Sequence, residues 1–184
     1  MSRPWLVGID LQVIFADPDS AWRTPEFARA AEATASLLPA FGDRAVFTRF
    51  VAPEQPTGAW VDYYADWPFA LVPSTDPLYA LTPPFGGRDG PVVSATTFGK
   101  WGADLAAVVG PEAPLVLTGV STDCCVLSTA LAAADAGREV VVVADACAGL
   151  SEADHQRALD AMALYAPLIR ISDVATVLAG QAAG

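Results

Sequence analysis

The chain has 184 residues, 53% of them hydrophobic and 17% charged, with a net charge of −11. That length suits one domain (1–184) with a sizeable core, no run reaches the roughly 18 apolar residues of a membrane span, and the acidic balance disfavours nucleic acid as a partner. Three cysteines, two of them adjacent, make no disulfide framework, and the first strand starts too early to leave room for a signal peptide, so a cytoplasmic location is expected.

In chain order, "WLVGID" (5–10) reads as a buried strand. Residues 24–41 read as a helix, with Thr24 as N-cap and Pro25 at the first helical position. "RAVFTRF" (44–50) and "PVVSA" (91–95) are the second and third strands, and "GKWGADLAAVVG" (99–110) is helical. "APLVLTG" (113–119) is a fourth strand, followed by a helix over 122–137 that Gly137 closes. "REVVVVADA" (138–146) is a fifth strand, 151–166 a helix opened by Ser151 and Asp154, "PLIRIS" (167–172) a sixth strand, and 173–180 a short last helix. Strands separated by helices, and apolar runs such as "EVVVVA", imply an α/β domain. It is expected to be a three-layer α/β/α sandwich on a six-stranded, mostly parallel sheet.

Residues 51–90 break the alternation. They are rich in proline, tryptophan and tyrosine, and a loop this long in a compact domain is usually functional. The segment is expected to cover a site, with "AWVDYYADW" as a short helix; a subunit interface is the alternative.

Sites in such folds form beyond the carboxyl ends of the strands. Asp10 ends the first strand, where it could equally be a turn residue. No Gly-x-Gly-x-x-Gly follows it, so the dinucleotide fingerprint is missing and no cofactor is expected. Lys100, the one lysine, follows the third strand. The fourth leads into "TGVSTDCCVL" (118–127). A thiol in the first turn of a helix gains from the dipole and from free N–H groups, which lower its pKa and can hold an oxyanion. A buried hydrophobe is the plain alternative for either Cys124 or Cys125; Cys147 reads as core or turn filler. The one histidine, His155, sits within a helix and reads as structural or exposed, so the base for a cysteine nucleophile falls to a carboxylate. An Asp10–Lys100–Cys set would pass the thiol proton to Asp10, attack a carbonyl carbon and hydrolyse an acyl-enzyme.

These residues resemble the isochorismatase-like cysteine hydrolases, which include nicotinamidases and N-carbamoyl amidohydrolases. The matching stretches are "GIDLQVIF" (8–15), "FTRF" (47–50), "LTGVSTDCCVLSTALAAADAG" (117–137), "VVVADACAG" (141–149) and the closing helix and strand at 155–172. The resemblance implies an Asp–Lys–Cys triad of Asp10, Lys100 and Cys125, with a thioester intermediate on a small amide or carbamoyl substrate. It also implies an oxyanion hole from the Cys124 and Cys125 amides, a cis peptide between Val120 and Ser121, and a homo-oligomer, dimer or tetramer.

Two departures stand out. The family's lysine would align with Ala95, five residues before Lys100. The histidines of the nicotinamidase metal site are missing from "FTRFVAPEQP", so no metal is expected. Pocket candidates are Phe15, Trp60, Tyr64, Trp67 and Trp101, with Arg49 and Arg88 as candidate partners for a substrate carboxylate. Competing readings are a catalytically impaired binding or scaffold domain, favoured by the displaced lysine, and vinyl ether cleavage of the isochorismate type, which Cys125 argues against.

Overall fold

Six strands form one sheet: β1 (Trp5–Ile9), β2 (Ala45–Phe50), β3 (Val92–Ala95), β4 (Leu115–Val120), β5 (Val140–Ala148) and β6 (Ile169–Ser172). The structure, a computed structural model, describes residues 3–182. The strand order is β3-β2-β1-β4-β5-β6, and every pairing is parallel. The expected α/β class and six-stranded sheet are therefore observed.

Seven helices complete the described residues: α1 (Val13–Ala16), α2 (Phe27–Phe41), α3 (Trp60–Asp66), α4 (Ala103–Val109), α5 (Leu127–Asp135), α6 (Glu152–Ala163) and α7 (Val174–Ala182). The pleat sends neighbouring side chains to opposite faces. Leu6 of β1 joins one buried cluster with Leu37 and Phe41 of α2 and Val177 of α7. Its neighbour Val7 joins a second, with Leu105 of α4, Ala130 and Ala133 of α5 and Met162 of α6. A sheet buried on both faces needs the near-continuous apolar strands that the sequence supplies. No helix among the described residues is long and apolar enough to cross a membrane.

Chain order reverses between β1 and β4, which lie side by side at the centre of the sheet. Gly119 permits their approach at the carboxyl end. Its φ is +108°, and a Cβ there would sit 2.1 Å from the Ile9 carbonyl oxygen. Any other residue would push the two strand ends apart. The reversal creates the crevice in which open α/β sheets carry their sites. It brings Asp10 next to the turn that follows Val120.

Several expected boundaries move, each for a local reason. α2 begins at Phe27, not at Thr24. Thr24 points inward, its amide donates to the Phe15 carbonyl at 2.9 Å, and its own carbonyl accepts from Phe27, so it closes a turn and does not cap the helix. α4 begins at Ala103, because residues 97–100 hold hydrogen bonds of their own. The helix expected over 122–137 opens as a π turn over Thr122–Val126 before α5 begins. Ser151 caps α6 as expected, accepting from the Asp154 amide.

Residues 51–90 fold back over the β1 and β2 ends. They contain α3 and two 3-10 turns, at 68–70 and 77–79. Gln12 anchors them: its side-chain oxygen accepts from the Phe50 amide at 2.7 Å, and its NH2 donates to the Phe50 and Tyr79 carbonyls, both at 2.9 Å. The Tyr79 hydroxyl donates to the Ala70 carbonyl and accepts from the Ala52 amide. All four hydrogen-bonding groups of the buried pair Gln12 and Tyr79 named here have partners, which burial demands.

Candidate active site

Asp10 is the one described non-glycine residue with a positive φ, +50°. Aspartate tolerates this left-handed region better than most residues, but the conformation is uncommon enough to be held by its surroundings. The Asp10 amide donates to the Thr48 hydroxyl oxygen at 3.2 Å, and that hydroxyl donates to Asp10 Oδ1 at 2.6 Å. Thr48 lies on β2, so two adjacent strands fix the carboxylate.

Lys100 completes the carboxylate's environment. Its amine lies 2.9 Å from Asp10 Oδ2, and both side chains are fully buried. The same amine donates to the carbonyls of Thr97 at 2.6 Å and Phe98 at 2.8 Å. Of the three donors of an ammonium, two go to these carbonyls, and the charge is paired with the carboxylate. The Phe50 ring lies 5.1 Å from the nitrogen, a cation–π distance. The five-residue displacement is absorbed by a curl of the chain after β3 that returns the amine to Asp10. Thr129 pins that curl: its hydroxyl accepts from the Lys100 amide N–H at 2.9 Å and donates to the Cys125 carbonyl at 2.6 Å.

The peptide between Val120 and Ser121 is cis. In the π turn that follows, the Ser121 carbonyl accepts from the Cys124 amide at 3.3 Å and the Val126 amide at 3.1 Å. A regular α-helix would give that carbonyl the Cys125 amide. The π turn passes over it, releasing the Cys125 N–H from its usual partner; such turns recur at functional sites. The Cys124 N–H, the other expected oxyanion donor, is engaged by a long bond.

Cys125 is buried and Cys124 half-buried. On helix-dipole grounds a thiol here is expected to have a lowered pKa; the structure reverses this. Burial, then the negative charge and hydrogen bond of Asp10, push the Cys125 thiol well up, and the Lys100 charge offsets only part of it. Cys124 is also raised, by burial and by Asp123. Cys147 is core, pushed up to about 12 by burial. The resting Cys125 is thus a neutral thiol facing a carboxylate.

Both cysteines open into a cavity of about 270 Å³. Phe15 and Trp67 line it as expected. Trp60, Tyr64 and Trp101 do not. Trp60 and Tyr64 pack behind the wall against Tyr63, and Trp101 packs away from the cavity under the Arg138 guanidinium, 5.0 Å away. Arg49 is also elsewhere, donating to the Ser94 hydroxyl and Ser74 carbonyl, and Arg88 borders a separate small hollow. The residues that sequence reasoning missed are Trp22, Phe50, Tyr63 and Phe98. A tryptophan amid turn formers in "DPDSAWRTP" was the available signal for Trp22. A larger hollow of about 500 Å³, between α2 and α6, has no cysteine in its lining; Arg29 there is tied to the Asp145 and Cys147 carbonyls.

His155 is buried, with Nδ1 2.8 Å from the Thr122 hydroxyl. Val51 and Ala52, just beyond β2, are buried and apolar. Those residues do not fit a histidine-bearing metal site. No group of three His, Cys, Asp or Glu side chains among the described residues is placed to share an ion.

A model of the isochorismatase domain matches residues 4–173. Among solved structures, a cysteine hydrolase from Pseudomonas syringae pv. phaseolicola superposes with a TM-score of 0.85 at 18% identity, covering 98% of this chain and 93% of that one. An isochorismatase-like hydrolase from Alkaliphilus metalliredigens gives 0.79 at 18%, covering 97% and 99%. A nicotinamidase/pyrazinamidase from Bacillus subtilis gives 0.75 at 20%, covering 94% and 100%. At these identities the likeness is one of fold. No curated protein matches the chain significantly.

Proposed function

Because the chain belongs to the isochorismatase domain family of hydrolases, we propose that it is a cysteine hydrolase that cleaves a small amide or carbamoyl compound through a thioester on Cys125. The observation that carries this reading is the buried Asp10 carboxylate, held by Thr48 and Lys100 and near enough to Cys125 for its charge to push the thiol up.

The chemistry follows from the charges. A buried thiolate beside a buried carboxylate is costly, so the thiol loses its proton to Asp10 only as sulfur attacks the carbonyl carbon. The carbonyl oxygen takes up the negative charge, and the Cys125 N–H, which the π turn diverts from the Ser121 carbonyl, is its proposed donor. Asp10 then returns the proton to the leaving nitrogen, the C–N bond breaks, and ammonia or an amine departs from the thioester. Water attacks next, giving its proton to Asp10. The C–S bond breaks, the acid leaves, and the proton returns to sulfur. The Lys100 amine, 2.9 Å from Asp10 Oδ2, holds the carboxylate in place through these transfers. The displaced lysine was the one feature that favoured an impaired scaffold, and its amine nevertheless reaches Asp10.

Ammonia release from a panel of small primary amides tests the reading. Turnover is expected with the native chain and is expected to vanish in Cys125→Ala. Turnover that survives Cys125→Ala would overturn it.

A further inference from the structure

The cavity above Cys125 says what kind of acyl group it takes. None of its lining residues is charged. Its walls are the rings of Phe15, Trp22, Phe50, Tyr63, Trp67 and Phe98. Trp22 organises them: it stacks on Phe15 at 6.2 Å and meets Phe50, Tyr63 and Trp67 at 5.6, 5.8 and 6.2 Å. The polar groups lie with the reacting thiol, in Ser121, Cys124 and Cys125, together with Thr24 and the Tyr63 hydroxyl. Burial pushes the Tyr63 phenol up to about 12, so it stays neutral.

No lysine or arginine lines the cavity. The Lys100 amine is engaged by the Thr97 and Phe98 carbonyls and the Asp10 carboxylate, and Arg49 and Arg88 are elsewhere. A carboxylate brought into this box would be desolvated without a partner, in a chain of net charge −11. The size is equally restrictive. At ~30 Å³ for each water-sized unit, 270 Å³ holds a molecule of about nine heavy atoms.

Resting on the amide-hydrolase reading above, we propose that the substrate is a compact amide with an apolar acyl group that carries no negative charge, an aromatic ring or a branched alkyl chain, and that Trp22 is a specificity-determining wall. Amides carrying a carboxylate on the acyl side are excluded.

3-Methylbutanamide and malonamate, isosteric and both within the size the cavity holds, differ in charge and serve as probes. Binding to Cys125→Ala is read by titration calorimetry, and turnover of the native chain by ammonia release. 3-Methylbutanamide is expected to bind, and malonamate to bind at least about 100-fold more weakly. Trp22→Ala should weaken 3-methylbutanamide binding, and unchanged binding would overturn its assigned role. Leu150 lies half-exposed at the cavity rim, and Leu150→Arg, which leaves the aromatic walls in place, should raise the relative binding of malonamate at least tenfold. 3-Methylbutanamide binding without turnover would sink the hydrolase reading and leave the cavity assignment standing. Malonamate binding as tightly as 3-methylbutanamide, or 3-methylbutanamide failing to bind, would overturn the assignment whatever the turnover.

Discussion

Lys100 and Asp10 form an ion pair at 2.9 Å with neither side chain exposed to solvent. Removing one partner of such a pair leaves the other as an uncompensated buried charge, at a cost of about 3–5 kcal/mol. Lys100→Met is therefore expected to lower unfolding free energy by about that amount, read from urea denaturation. Lys100→Met/Asp10→Asn, which removes both charges, should recover much of the loss while remaining inactive. A single variant as stable as the parent would contradict this.

The Cys125 thiol is held neutral by burial and by Asp10. Its alkylation by a small neutral reagent should climb steadily through pH 9 without a plateau, because only the thiolate reacts. In Asp10→Asn the carboxylate's upward push is gone and the Lys100 charge remains, so the thiol pKa falls and Cys125 alkylates faster at pH 7. Amide hydrolysis should move the other way, dropping about 10²–10⁴-fold with the loss of the base. Peptide mapping separates Cys125 from the more exposed Cys124. Slower alkylation of Cys125 in Asp10→Asn would contradict the assigned charges.

Much of this site was legible in the sequence, and the reasons are specific. β1 and β4 announce themselves as apolar runs, and the open-sheet rule directs attention to Asp10 and the cysteine turn at their ends. The choice of Cys125 over Cys124 came from the Thr-Asp-x-Cys-Val resemblance, since the dipole acts on both neighbours alike. Thr48, Gln12 and Thr129 escaped notice because their roles are contacts across 38, 67 and 29 residues of sequence, which local pattern does not encode. The pocket rings were half-missed for the same reason. Adjacent aromatics such as Tyr63 and Tyr64 face different ways, and only the docking of α3 decides that Tyr63 meets the cavity. The raised thiol pKa was misjudged because burial depth outweighs the dipole.

His155 is buried against Thr122, at the start of the π turn. Burial is the first cause holding its imidazole below the usual value; Arg29 from α2 adds to this, while Glu152 on α6 and Asp123 in the turn oppose it. The unfolded chain therefore binds this proton more readily. The resulting stability is fully present above about pH 6.5 and is lost as pH falls towards the folded value. Between pH 7.5 and 5.5 the urea midpoint should fall, and it should fall less in His155→Gln. An equal fall in both would assign the acid sensitivity to other groups.

Gly119 admits no side chain. Gly119→Ala combines a positive φ with a backbone clash, and its cost should exceed about 4 kcal/mol, in the range reserved for severe structural changes. A soluble, cooperatively unfolding Gly119→Ala with a near-parental midpoint would mean that β1 and β4 can separate.

The central claim is a covalent acyl group on one of two neighbouring thiols. Acid quenching during steady-state turnover of a small amide, followed by intact and peptide mass analysis, tests it directly. The predicted result is a mass increase equal to the acyl group, mapped to Cys125, lost in Cys125→Ala and still formed in Cys124→Ala. Continued turnover with no adduct on Cys125, or an adduct that follows Cys124, would contradict it.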